Sequence, residues 1–105
     1  MKESDIQRAI IKMLKVHPKV GWVYVTSAGY VKGINGGRMF RVGVPGMSDI
    51  MGQMNDGRLL AIEVKVPGKF PTEMQSEFLD FVKKCKGIAF WADSVDGVTK
   101  KLEGI

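Results

Sequence analysis

The stretch of residues 59–66 constrains the fold more than any other part of this 105-residue sequence. It is apolar except at Glu63 and Lys65, and successive side chains of a β-strand point to opposite faces. One face would carry Leu60, Ile62, Val64 and Val66, and the other Ala61, Glu63 and Lys65. The pattern predicts a strand on which a carboxylate and an ammonium group stand side by side. Their desolvation is unfavourable unless a partner neutralises them.

A tight turn upstream brings a second carboxylate toward this pair. Asn-Asp-Gly at residues 55–57 tolerates positive φ and predicts a β-hairpin, which would place Asp49 near Glu63 and Lys65. Two carboxylates on adjacent strands can share one divalent ion, and Mg2+ prefers oxygen ligands. Such an ion would polarise a phosphodiester and lower the pKa of an attacking water. Lys65 would orient that water, act as its base or offset the charge on the phosphate.

The pair of Glu63 and Lys65 also has a simpler explanation, a cross-strand ion pair on a half-solvated strand. Glu-x-Lys occurs often by chance, and three other features favour the catalytic interpretation. Asp49 lies one hairpin upstream, a predicted helix follows, and the chain has a net charge of +5. A positive balance favours a polyanionic partner such as nucleic acid.

Apolar periodicity and turn residues predict the other helices and strands. Capping boxes are expected at Ser4 with Gln7 and at Thr72 with Gln75. The segment 88–92 is almost wholly apolar, which predicts a central strand. The order α-β-(β)-β-β-α-β-α indicates a mixed sheet flanked by helices. The predicted helices are about 4–16, 72–86 and 94–102, and the predicted strands are 22–27, 39–42, 48–54, 58–66 and 88–92.

At these residues the sequence resembles the VRR-NUC family, the virus-type replication and repair nucleases of the PD-(D/E)xK superfamily. The likeness spans nearly the whole chain. It implies an α/β fold with a restriction-endonuclease-like core, a mixed β-sheet flanked by helices in the order α-β-β-β-α-β. The matching positions are Glu3, Gly46 to Asp49, Glu63-Val64-Lys65 with the residues up to Gly68, and Pro71 to Gln75.

The resemblance also implies roles for individual residues. Asp49, Glu63 and the main-chain carbonyl of Val64 would bind Mg2+, with Mn2+ as a substitute. Lys65 and Gln75 would join Asp49 and Glu63 as catalytic residues. Glu3 would be a further catalytic carboxylate that binds a second metal or positions water.

Two of these roles have alternatives, and one family position differs. Glu3 could instead complement the dipole of the first helix. Gln75 could simply complete the capping box with Thr72. The proline that usually precedes the metal-binding aspartate in the family is Ser48 here.

Basic residues on both sides of this core are candidates for DNA binding. Lys32, Arg38 and Arg41 lie in a glycine-rich stretch, where backbone N–H groups can approach phosphates closely and cations add sequence-independent affinity. Lys69 follows the Glu-x-Lys strand and could also contact phosphate. The alternative in each case is an ordinary solvated charge in a connecting loop.

The expected function is that of a divalent-metal-dependent, structure-specific DNA endonuclease. The resemblance implies branched DNA such as four-way (Holliday) junctions as substrate, a role in DNA repair, and a homodimer. Exposed Trp91 or Phe90 would be part of the dimer interface. The alternatives are a non-catalytic nucleic-acid-binding module with a nuclease fold and a restriction-type endonuclease.

Length and composition set the remaining expectations. The chain fits one stand-alone nuclease domain, residues 1–105. Its apolar runs are too short to span a bilayer, and its N-terminus lacks the pattern of a secretory signal. We therefore expect a cytoplasmic protein of a bacterial or phage-infected cell, with no membrane partner.

Overall fold

The computed structural model of the chain describes residues 1–26, 29–32, 39–42 and 44–105, with the backbone alone described over 29–32 and 39–42. Its helices and strands follow one another in nearly the predicted order. The helices are α1 Glu3–Leu14, α2 Glu73–Lys84 and α3 Val95–Glu103; the strands are β1 Val20–Val25, β2 Gly29–Lys32, β3 Met39–Val42, β4 Ile50–Met54, β5 Leu59–Val64 and β6 Ile88–Ala92.

Four strands form one mixed sheet in the order β1-β4-β5-β6. β4 is antiparallel to both β1 and β5, whereas β6 is parallel to β5. A parallel pair needs a crossover connection, and α2 supplies it. The predicted mixed sheet flanked by helices is confirmed, with α1, β1, β4, β5, α2 and β6 in the α-β-β-β-α-β order.

A separate two-stranded antiparallel sheet, β2 with β3, is inserted between β1 and β4. β3 has the predicted bounds. β2 has no counterpart among the predicted strands, because it lies in a glycine-rich stretch with low β propensity. The insertion leaves the main sheet at the end of β1 and returns to it just before Asp49.

The two faces of the main sheet bury different helices. α1 and α3 cover one face, where Ile10 and Leu102 pack with Ile62 of β5. α2 covers part of the other face, where Leu79 packs with Ala61. Full burial of an aliphatic side chain contributes about 2 kcal/mol to the free energy of unfolding. Because Ile62 and Ala61 point into opposite cores, the alternation predicted for β5 is confirmed.

The ends of the helices follow from their capping residues. The predicted capping box of α2 is confirmed, because Thr72 Oγ1 accepts from Gln75 N–H at 3.2 Å and Gln75 Oε1 accepts from Thr72 N–H at 2.9 Å. The box predicted at Ser4 is wrong. α1 already begins at Glu3, and the carboxylate of Asp5 accepts from Lys2 N–H at 3.2 Å.

The β4–β5 connection is the predicted hairpin. Gly57 has a φ of 96°, a conformation that glycine adopts without strain, and its N–H donates to the Met54 carbonyl at 2.9 Å. Met54 N–H donates to Arg58 O at 2.8 Å and closes the turn. This turn sets the register in which Ile50 lies opposite Ile62.

The prediction that segment 88–92 is a central strand is wrong, because β6 is an edge strand. Its apolar composition reflects cover on both faces: Ala89 packs in the core under α2 and Phe90 in the core under α1 and α3. Phe90 is thus not an exposed interface residue. Trp91 is half-buried, with the Phe70 ring edge-on at 5.5 Å. None of the helices in the described residues is long and apolar enough to cross a membrane.

Candidate active site

Asp49 and Glu63 are held together by two reciprocal hydrogen bonds. The N–H of Asp49 donates to Glu63 Oε1 at 3.1 Å, and the N–H of Val64 donates to Asp49 Oδ2 at 2.9 Å. The register that places Ile50 opposite Ile62 brings these neighbours face to face. Each carboxylate therefore replaces part of the backbone ladder where β4 and β5 meet. The sequence-based expectation that the hairpin juxtaposes Asp49 and Glu63 is confirmed.

Burial makes the proximity of the two carboxylates unfavourable. Glu63 is 1% exposed. Removal from water, the negative charge of Asp49 and a hydrogen bond to that carboxyl group raise the pKa of Glu63 to about 8, against the opposing effect of Lys65. The alternative is wrong in describing a half-solvated strand, although Glu63 and Lys65 do lie within ion-pair distance. The carboxyl group of Glu63 lies inside the protein, next to a second one.

Lys65 stands beside Glu63 at the end of β5. Its Nζ lies 3.8 Å from Glu63 Oε2, and its side chain is 13% exposed. Its backbone N–H donates to Ala92 O at 3.0 Å, which fixes its position against β6. The distance permits an ion pair but exceeds that of a hydrogen bond. The ammonium group therefore offsets the negative charge of the pair only in part.

Thr26, which the sequence analysis did not select, holds the backbone at Asp49. Thr26 N–H donates to Asp49 O at 2.9 Å, and Thr26 Oγ1 donates to Ser48 O at 2.9 Å. Ser48 itself is fully buried, and its Oγ has no hydrogen-bond partner among the described residues. The signal for Thr26 was its place at the end of a predicted strand, but only the register of β1 with β4 shows what it contacts.

The site offers the donors that a hard cation requires. Carboxylate oxygens of Asp49 and Glu63 converge, and a divalent ion beside them would stabilise the ionised form of Glu63. No group of three or more histidine, cysteine, aspartate or glutamate side chains placed to hold a metal ion is present in the described part of the chain. The metal-binding roles of Asp49, Glu63 and the Val64 carbonyl stay predictions.

Glu3 and Gln75 occupy positions that fit their simpler explanations. Glu3 is the half-buried first residue of α1, in a first turn that also contains Asp5, as expected for a residue that complements the helix dipole. Gln75 uses its side-chain oxygen in the capping box of α2. The structure does not bring Glu3 into a three-carboxylate group with Asp49 and Glu63. The catalytic roles of Glu3 and Gln75 stay predictions.

Three of the four predicted DNA-binding residues lie within the described part of the chain, in two places. Lys69 is exposed in the turn after β5, where its N–H donates to Val66 O at 3.0 Å. Lys32 ends β2 and Arg41 lies in β3, on the sheet inserted just before Asp49. Arg38 lies outside the described residues. Contacts of these residues with phosphate stay predictions.

A solved structure described as a VRR_NUC domain protein resembles this fold. The two chains superpose with a TM-score of 0.65 at 20% sequence identity, over 98% of this chain and 86% of the other. No protein-family model and no curated protein matches the sequence. At this level of identity the likeness establishes the fold. The chain therefore has the fold of a VRR_NUC domain protein, as the sequence resemblance implied.

Proposed function

We propose that this protein is a Mg2+-dependent DNA endonuclease with Asp49, Glu63 and Lys65 as its catalytic core. The observation that carries the proposal is the buried contact of Asp49 with Glu63, with Lys65 3.8 Å from the second carboxylate. A pair of like charges inside a protein destabilises it and raises the pKa of one member. Perturbed groups of this kind concentrate at functional sites.

Mg2+ fits this donor set, with Asp49, Glu63 and the Val64 carbonyl as its expected ligands and Mn2+ as a substitute. When bound, the ion would polarise the scissile phosphodiester and lower the pKa of the attacking water. The chain's own residues supply the rest. The hydrogen bonds from Asp49 N–H and Val64 N–H fix both carboxylates before a substrate binds. The Lys65 ammonium group places a positive charge where negative charge develops on the phosphate.

Branched DNA is the substrate class that we propose, and a homodimer the active form. Two copies of a chain of 105 residues would present two sites and a wide basic surface, which suits a junction with two strands to cut. The net charge of +5 supports a polyanionic substrate. The fold of a VRR_NUC domain protein supports a nuclease-type activity.

The test is cleavage of linear, flap and four-way-junction DNAs of the same sequence, with Mg2+ and after treatment with EDTA. We expect metal-dependent cleavage that favours the junction and is lost in Glu63→Ala. Glu103→Ala is the matched control, since Glu103 is an exposed glutamate at the end of α3. Binding of DNA without cleavage in any metal would instead identify a non-catalytic nucleic-acid-binding module. Cleavage at one sequence in linear DNA would indicate a restriction-type endonuclease.

A further inference from the structure

Two aromatic side chains form an exposed pair on β1. Trp22 and Tyr24 are each 51% exposed. Their ring centroids lie 5.9 Å apart, and the ring planes differ by only 21°. Two adjacent exposed rings form a larger apolar patch than a single exposed side chain, and contiguous apolar patches often mark interaction surfaces. The pair has no role in the carboxylate site as described so far.

The aromatic pair lies on the same face of the sheet as the carboxylates. Val23, between the two aromatic residues, packs toward the core under α1, so Trp22 and Tyr24 point to the opposite face. Tyr24 lies opposite Met51, which belongs to the core under α2. Thr26, the first residue after β1, is the next position in this alternation, and its N–H donates to Asp49 O.

The distance from the aromatic pair to the site follows from the strand geometry. Two residues of a strand advance about 7 Å along its axis. Tyr24 is therefore one such step, and Trp22 two steps, from the position opposite Asp49. A ligand that bound both rings would therefore lie within about 14 Å, along the strand, of the position opposite Asp49.

α2 covers only part of this face, because its buried residues Leu79 and Val82 pack on Ala61 of β5 and Ala89 of β6. The β1 side of the face retains its half-exposed rings. The aromatic pair therefore remains half-exposed, and β1 leads from it to Thr26, which lies opposite Asp49.

The polar N–H of the Trp22 indole is paired within the protein, which leaves the apolar outer faces of the stacked rings for a ligand. Trp22 Nε1 donates to Gln53 Oε1 at 3.0 Å, and Gln53 Nε2 donates to Gly57 O at 3.0 Å. The only polar group of the indole is therefore already paired within the protein. A ligand of this surface would be recognised by stacking on the rings. Nucleobases stack on aromatic side chains with little dependence on sequence.

We infer that Trp22 and Tyr24 form a stacking platform for unpaired bases of the DNA strand that enters the Asp49–Glu63 site. The inference rests on the proposed nuclease function and narrows its substrate class. Bases inside a duplex are already stacked on one another, so the platform recognises DNA whose strands are open beside the scissile phosphate. The net charge of +5 supports binding of the strand's backbone on the same protein.

The first experiment compares binding of single-stranded DNA, of a duplex with an unpaired gap, and of the intact duplex, with Ca2+ in place of Mg2+. Alanine substitution of a stacking side chain weakens binding by about 5- to 150-fold per base. We expect a loss of that size in Trp22→Ala/Tyr24→Ala for the single strand and the gap, and no change for the duplex. Trp22→Phe/Tyr24→Phe should retain binding. Phe81→Ala is the matched control, because Phe81 is a 67% exposed aromatic residue on α2.

The second experiment identifies the stacked bases. Single nucleotides of the bound strand are replaced by abasic sites, one at a time. The wild-type protein should lose affinity at one or two positions, and Trp22→Ala/Tyr24→Ala should show no additional loss at the same positions. A general effect of the substitutions on folding would not produce this coupling, since it would act equally at every position.

Three results would overturn the inference. Unchanged affinity of Trp22→Ala/Tyr24→Ala for unpaired DNA, together with retained cleavage, would refute the platform while the proposed nuclease function stood. Equal losses on all DNAs, with a shift from dimer to monomer in sedimentation, would show that the surface joins two copies of the chain. Failure of the wild-type protein to bind or cleave any DNA would refute the nuclease function, and the platform with it.

Discussion

Replacing Glu63 with glutamine should stabilise the metal-free protein, by an amount that grows with pH. Glutamine has the shape and neutrality of a protonated glutamate but cannot ionise. In the native protein the buried Glu63 carboxyl lies against Asp49, and these surroundings raise its pKa to about 8. Folding therefore disfavours the ionised form of Glu63, and Glu63→Gln removes that penalty.

The magnitude follows from the two pKa values of Glu63. The unfolded chain releases the proton near pH 4.5, whereas the folded chain holds it until about pH 8. Between these values the unfolded state binds fewer protons, so stability falls as pH rises, by about 1.4 kcal/mol per pH unit. The loss reaches about 3 kcal/mol at pH 7 and levels off above pH 8. Wild type and Glu63→Gln should differ in stability by about 1 kcal/mol at pH 5 and by about 3 kcal/mol at pH 7.

Urea unfolding followed by circular dichroism, in EDTA from pH 5 to 9, measures this difference. The contributions of titrating groups that do not interact with Glu63 cancel when the variant is subtracted from wild type. Glu103→Gln, at an exposed position, should show a flat difference across the same range. A flat difference for Glu63→Gln would refute the reasoning, because it would mean that Glu63 ionises equally well in the folded and unfolded protein.

Further predictions concern catalysis, stability and assembly. Asp49→Ala and Lys65→Ala should each abolish cleavage of junction DNA with an unchanged circular dichroism spectrum; normal turnover would remove that residue from the site. Mg2+ or Mn2+ should support activity and Ca2+ only binding, whereas full activity in EDTA would contradict a metal mechanism. Gly57→Ala should cost about 1 kcal/mol of unfolding free energy for its positive φ. Gly46→Ala should cost about twice that or more, because its Cβ would also overlap the Met74 carbonyl; equal melting temperatures would refute the overlap. Light scattering should find a homodimer at micromolar concentration, and DNA binding should weaken steeply with salt; a monomer with salt-independent binding would contradict both.

Much of the fold could be predicted because local patterns and tertiary packing agree. The alternation of residues 59–66 and the turn at 55–57 each predicted a feature that the structure confirms. The prediction that β6 is a central strand was wrong for a physical reason. An apolar run reports burial on both faces of a strand, and helices can supply that burial at the edge of a sheet as well as in its middle.

The candidate site was predictable where it depends on a hairpin and not where it depends on packing. Asp49 and Glu63 could be paired from the turn between them. The support of Asp49 by Thr26 depends on the pairing of β1 with β4, across an insertion that sequence reasoning cannot place. The full burial of Glu63 depends on β6, which returns through a helical crossover. The exposure of Trp22 depends on how much of the sheet α2 covers, which is also a tertiary property.

The reciprocal hydrogen bonds of the carboxylate pair have a consequence for folding kinetics. The Asp49–Glu63 bond joins residues only 14 positions apart, so the hairpin that forms it has low contact order. The pairing of β5 with β6 comes from a more distant part of the chain, and we expect it to close later. We therefore expect the carboxylates to meet while water still surrounds them and to lose their hydration after the rate-limiting barrier. Interactions absent from the transition state act on the unfolding rate. Stopped-flow measurements on metal-free Glu63→Gln should show slower unfolding and a nearly unchanged refolding rate, so the ionisable pair shortens the lifetime of the native state without slowing its formation.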